Sequence, residues 1–259
     1  MVAAFQHRTV DRMAVYVHRD TSALARAAAD AAADTMRRAV SERGEARAMF
    51  ATGNSQIAFV DALVHHTPDV PWDRTVVFHM DEYVGVGPDH PAGFRRWIRE
   101  RIVEPAGAAE AHYLDGLADP SAECDRYAGL LRAGRLDLCC LGIGENGHLA
   151  FNDPPVADFD DPLSVKIVDL DAACRAQQVH EGHFATLDDV PRRAVTVTVP
   201  ALLDAAVVLA VVPERRKAGP VAAALTGPVS TACPASVLRT VPTVTLHLDP
   251  GSAAGLGWG

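Results

Sequence analysis

Short apolar runs alternate with longer helix-like stretches along most of the chain. The runs cover residues 13–17, 47–51, 75–80, 136–142, 165–168, 195–199, 206–212 and 243–248. They are rich in Val and Leu, and several are apolar nearly throughout, as expected of strands covered on both faces. Between them, residues 22–40, 55–65, 91–101, 120–133, 172–178 and 213–225 read as helices. Asp20 and Thr21 supply capping side chains before the first, and Pro91 suits a first helical turn. This alternation predicts an α/β three-layer fold with a mainly parallel sheet. A chain of 259 residues fits one large domain. The acidic, proline-containing stretch 154–162 reads as a loop, since apolar strands continue beyond it.

Composition narrows the partners. A net charge of −9 argues against a general binder of nucleic acid or of membrane surfaces, both of which favour basic patches. It leaves room for a small anion, which a few local donors can hold. The five cysteines, Cys124, Cys139, Cys140, Cys174 and Cys233, are odd in number and lack metal-ligand spacing. Cys139 and Cys140 read as small buried residues of a strand. The opening segment lacks the apolar core of a signal peptide, and no apolar stretch approaches the ~18 residues of a membrane span. A reduced, cytoplasmic setting is the expectation.

In open α/β sheets ligands bind beyond the carboxyl ends of the strands. Three such ends are unusually polar here: "ATGNSQ" (51–56), "MDEY" (80–83) and "GIGENGHLAFNDPP" (142–155). The last contains the G-x-G-x-x-G pattern of dinucleotide sites, and Asp169 stands where the ribose acid would. That reading needs a helix starting in the glycine loop. Pro154 and Pro155 remove backbone donors and bias Asp153 away from helix, so a helix from Gly147 would last scarcely two turns. The loop is better read as presenting His148, with Gly144 and Gly147 turning the chain, Asp153 orienting the imidazole, and Glu145 and Asn146 adding polar groups.

Thr52, Gly53, Asn54 and Ser55 lie between a strand and a helix, as a phosphate nest does, though no Gly-Lys-Ser/Thr follows. On an extended segment Asp81 and Glu82 point to opposite sides, so one can serve as a base while the other makes structural bonds. Lys217, early in the helix after residues 206–212, is the candidate cation for a phosphate; Arg215 and Arg216 read as solvated. "HEGHF" (180–184) resembles a metal pair but lacks a third ligand, so no metal is expected.

Taken in order, these motifs resemble the glucosamine-6-phosphate deaminase/isomerase family, related to the 6-phosphogluconolactonases, over nearly the whole chain. The specific part is "MDEY" with "GIGxNGHxAFN"; lactonases typically continue with a Ser-Leu-Phe-Pro-type run where this chain has "LAFNDP". The resemblance implies a Rossmann-like fold with a mobile lid near 154–190. It also implies conversion of glucosamine 6-phosphate to fructose 6-phosphate and ammonia, without cofactor. Asp81 matches the base that moves a proton between C2 and C1, and His148 the group that assists ring opening. Asp153 stands where an acid, usually Glu, partners that His. Thr52 to Ser55 match the phosphate loop and Lys217 a phosphate-binding lysine; Gly144 is grouped with them in substrate binding. Asn146 replaces the Asp that some members carry. Gln178 aligns with a phosphate-binding Arg of the lid, with Arg175 three residues earlier as a substitute. The readings held beside this one are a 2,3-dehydratase of N-acetylglucosamine 6-phosphate, a galactosamine-6-phosphate isomerase, a lactonase and a non-catalytic sugar-phosphate sensor. Assembly into a homo-oligomer is left open.

Overall fold

The computed structural model describes residues 6–180, 182 and 184–258; for Ala173 and Gln177 it describes the backbone alone. Glu181 and His183 of the "HEGHF" stretch lie outside the described residues. The strands are Gln6–Val10 (β1), Met13–Val17 (β2), Ala46–Phe50 (β3), Thr75–His79 (β4), Asp81–Tyr83 (β5), Glu110–His112 (β6), Leu138–Leu141 (β7), Val165–Asp169 (β8), Arg193–Val197 (β9), Val207–Val212 (β10) and Val244–Leu248 (β11). The helices are Thr21–Arg43 (α1), Ile57–Asp61 (α2), Phe94–Ile98 (α3), Glu104–Ala106 (α4), Pro120–Arg132 (α5), Ala172–His180 (α6), Val199–Leu203 (α7) and Ala218–Thr226 (α8). Each of the eight expected strands is present.

Eight strands form one sheet in the order β1-β2-β11-β10-β7-β3-β4-β6. All its pairings are parallel except β1 with β2. Its strands alternate between two cores. Val208, Ala210 and Val212 of β10 join one cluster, with Met49, Phe78 and Cys139. Leu209 and Val211 join the other, with Phe50, Val77 and Cys140. Layers on both faces make the three-layer α/β architecture, and they explain why these runs are apolar at every position. α1 packs on the second face through small residues, among them Ala25, Ala28, Ala29, Ala32 and Ala33. Asp20 caps its start by accepting from Ala23 N at 2.6 Å, and Gly44 closes its end at φ 80°. No described helix is long and apolar enough to cross a membrane.

The chain runs outward from β3 through β4 to β6, then returns to β7 and runs the other way through β10 to β11. The order therefore reverses between β3 and β7, which is where a ligand crevice is expected. Not anticipated from local pattern were β1, β6, α4, α7 and the joining of β8 and β9 with β5 into a small antiparallel sheet. That sheet pairs Asp81 with Thr196 and Tyr83 with Ala194.

β4 ends against a side chain. The Tyr127 hydroxyl, on α5, donates to His79 O at 2.7 Å and accepts from His79 N at 3.1 Å. Both His79 groups are buried, so removing the hydroxyl strands them. Tyr127→Phe is expected to lower unfolding free energy by about 1–3 kcal/mol, read from urea midpoints at unchanged m. An unchanged midpoint would show that other groups satisfy the end of β4.

Candidate active site

One cleft gathers the polar strand ends. Thr52 to Ser55 follow β3, Asp81 follows β4, Gly144 and His148 follow β7, and Lys217 follows β10. Gln178 of α6 also lines it. With its open mouth the cleft spans about 660 Å³, a size suited to a small molecule.

Asp81 and Glu82 divide their work by strand alternation. Glu82 turns away from the cleft and accepts three amides: Tyr83 N at 2.9 Å and Phe94 N at 3.2 Å on Oε1, and Arg95 N at 2.8 Å on Oε2. It thereby caps the first turn of α3, which has no cap from Gly93. Burial pushes Glu82 up to about 7, against the pull of those amides. Asp81 lines the cleft, 6% exposed. Burial first, then the charges of Glu82 and Asp153, hold its carboxyl well above the ordinary range. Behind it, Leu114 N donates to His79 Nε2 at 2.9 Å, so His79 Nδ1 carries the proton and donates to Asp81 O at 2.9 Å. Burial lowers His79 to about 3, which keeps it neutral.

His148 stands over Gly144. A Cβ at Gly144 would overlap the imidazole Nε2, Cδ2 and Cε1 atoms. Nδ1 lies 2.8 Å from Asp153 Oδ1, and a carboxylate only accepts, so Nδ1 donates and Nε2 keeps its lone pair. Asn146 donates to the same oxygen at 2.8 Å and accepts from His148 N at 3.0 Å. Burial would raise Asp153, but the bond and charge of His148, with the Asn146 bond, bring it below the usual value. Gly147 turns the chain at φ 85°. The loop is fastened to β9 by Phe151 N on Thr196 Oγ1 at 3.1 Å and by Asn152 Nδ2 on Val197 O at 2.9 Å.

Lys217 is 3% exposed and ends a short helical turn, Arg215–Lys217. The turn begins at Glu214, held at φ 83°, a strained value for a non-glycine residue. Asp249 holds it there, accepting from Glu214 N at 3.1 and 3.2 Å, from Thr21 Oγ1 at 2.7 Å and from Ser252 N at 2.8 Å. Burial would raise Asp249; the donors outweigh it and keep the carboxyl low. Gln56, 1% exposed, fixes the turn after β3 by donating to Val211 O at 3.0 Å.

Of the residues singled out in the sequence, the cleft brings together Thr52, Gly53, Asn54, Ser55, Asp81, Gly144, His148, Gln178 and Lys217. Asp153 and Asn146 sit directly behind the imidazole. Two others are neither in the cleft nor behind the imidazole. Glu145 is exposed and accepts from Arg216 Nη1 at 3.3 Å, because the loop turns it outward while Asn146 turns in. Arg175 is not among the cleft-lining residues, and its guanidinium donates to Leu187 O. Arg216 is paired rather than solvated, with Glu214 Oε2 at 2.6 Å. His79, Gln56 and Asp249 carry supporting contacts that their sequence context did not signal.

The family model of glucosamine-6-phosphate isomerases/6-phosphogluconolactonase matches residues 19–246, and the chain belongs to this family. A glucosamine-6-phosphate deaminase of Exiguobacterium sibiricum is 32% identical over 205 residues, 79% of each chain. One of Pseudarthrobacter chlorophenolicus is 33% identical over 233 residues, 87% of each. Among solved structures, a monomeric glucosamine-6-phosphate deaminase superposes with a TM-score of 0.85 at 28% identity, over 93% of this chain and 99% of its own. A 6-phosphogluconolactonase of Shewanella baltica, at 18% identity and a TM-score of 0.74 over 95% and 99%, shares the fold.

Glu82→Gln places an amide NH₂ against backbone N–H groups that need an acceptor. The expected cost is about 1–3 kcal/mol, at about 2–4 °C of Tm per kcal/mol for a chain of this size. A Tm equal to that of the unaltered protein would refute the capping role.

Proposed function

We propose that this protein converts glucosamine 6-phosphate and water to fructose 6-phosphate and ammonia. The carrying observation is the buried, unusually basic Asp81 carboxylate in a cleft that also holds His148 and Lys217. Deaminases of this name at 31–33% identity support the choice of substrate. In the proposed reaction Lys217 and the Thr52–Ser55 turn hold the phosphate, which anchors the sugar against both proton-transfer groups. His148 Nε2 takes the anomeric hydroxyl proton and returns it to the ring oxygen, opening the ring. Asp153 steadies the transient imidazolium. Asp81 then removes the C2 proton and delivers it to C1, while O1 gains a proton and the amine nitrogen gives one up, leaving an imine at C2. Water adds there and ammonia departs. Gln178 completes the phosphate site as a neutral donor from the lid, residues 154–190. Arg175 takes no part in it.

Because folding raises the Asp81 pKa, the native protein binds that proton more tightly than the unfolded chain does. Its stabilising contribution is present below the unfolded value of 3.8 and is lost as pH rises through the folded value. Asp81→Asn is therefore expected to raise Tm at neutral pH while lowering kcat by about 10²–10⁴-fold. The acid limb of kcat/KM in the unaltered enzyme should lie above the ordinary carboxylate range; a limb near ~4 would remove Asp81 as the base. Coupled assays for ammonia and fructose 6-phosphate test the reaction itself, and absence of both at high enzyme concentration would sink it. Gly144→Ala pushes the imidazole off its seat, and a displacement of this kind costs about 10²-fold in kcat with KM little changed.

A further inference from the structure

Behind the imidazole lies a third group that the proposed reaction does not use. Cys174, in the first turns of α6, is 1% exposed, and its thiol lies against the His148–Asp153 pair. One ligand atom from each of His148, Asp153 and Cys174 lies within 4.8 Å of the other two. Asp153 is itself 1% exposed, and its Oδ2 is buried without a hydrogen-bond partner among the described residues. The Cys174 thiol lies beside the carboxylate as a weak donor that helps to lower its pKa, without good hydrogen-bond geometry to Oδ2. A buried carboxylate oxygen without a well-placed donor is costly, and a cation satisfies it.

We propose that His148, Asp153 and Cys174 form a site for a thiophilic divalent cation of the Zn²⁺ class, which ties α6 to the loop after β7, and that occupation inhibits the enzyme by taking the lone pair His148 needs for proton transfer. One sulfur, one imidazole nitrogen and one carboxylate oxygen make a donor set suited to Zn²⁺, with a fourth position for water. The spacing within the chain, five residues from His148 to Asp153 and then twenty-one to Cys174, matches no zinc signature, so the sequence gives no hint of it. On binding, the thiol proton passes to solvent. The metal takes the Nδ1 lone pair, so the imidazole proton moves to Nε2 and the Nδ1–H···Oδ1 bond is broken. Nε2 then has no lone pair to offer the cleft, and His148 can no longer accept a proton from substrate. The inhibitory half rests on the deaminase reading; the binding half does not.

The test uses the metal-free protein, titrated with Zn²⁺ by calorimetry and with Co²⁺ by absorption. Expected are one tight Zn²⁺ per chain and a thiolate-to-cobalt charge-transfer band in the near ultraviolet. Cys174→Ala should lose the band and weaken Zn²⁺ binding at least tenfold, whereas Cys233→Ala, checked for an unchanged Tm, should keep both. If ammonia release is observed, Zn²⁺ should abolish it, a chelator should restore it, and Cys174→Ala should resist at least tenfold more metal. Absence of the band, its survival in Cys174→Ala, or Zn²⁺ binding equally to both proteins overturns the site. Binding with undiminished turnover overturns the inhibition. If the protein forms no ammonia at all, the cobalt band still decides the site, and the two failures are told apart.

Discussion

The cleft depends on a single register pair, Asp81 opposite Thr196. β5 is only three residues long and would not hold its place unaided, yet this pairing fixes Asp81 at the end of the main sheet. The same Thr196 accepts Phe151 N through its hydroxyl, and the next carbonyl, Val197 O, accepts from Asn152. One strand thus sets the distance between the carboxylate and the imidazole, which come from loops 67 residues apart in the chain. Shifting β9 by one residue would face Thr196 the other way and release both loops together.

Much of the charge in this region is arranged by backbone rather than by opposite charge. Glu82 is held by three amides and Asp249 by two amides and a hydroxyl. Neither spends a basic side chain. Asp81 has no ion pair among the described residues, and Lys217 is buried beside the same cleft. An arginine beside Asp81 would have stabilised the carboxylate and weakened it as a base.

The parts legible in the sequence were those set by local chemistry. Strands such as 206–212 are apolar throughout because both sheet faces are covered, and a run of that kind is visible without partners. His148 and Asp153 are five residues apart in a loop closed by Gly144 and Gly147, so their meeting is a local event. The division between Asp81 and Glu82 follows from strand alternation alone, although which of them faces the cleft is decided by the pairing with β9. What stayed hidden is set at long range. β5 and β6 are three residues each, too short for a periodic pattern. His79, Gln56, Asp249 and Cys174 owe their roles to neighbours far along the chain. Glu145 and Asn146 are adjacent polar residues of one loop, and the turn at Gly147, not their chemistry, decides which faces inward.

Glu214 and Asp249 give distant stretches of the chain an unexpected relation. The carboxylate that holds the strained turn below Lys217 also takes the hydroxyl of Thr21, at the start of the first long helix, and the amide of Ser252, near the last described residues. Lys217 of the cleft is thus seated by a knot tied between segments 228 residues apart. During synthesis that knot cannot close until residue 249 has left the ribosome. The seat of Lys217 therefore depends on residues that follow every other part of the cleft in the chain.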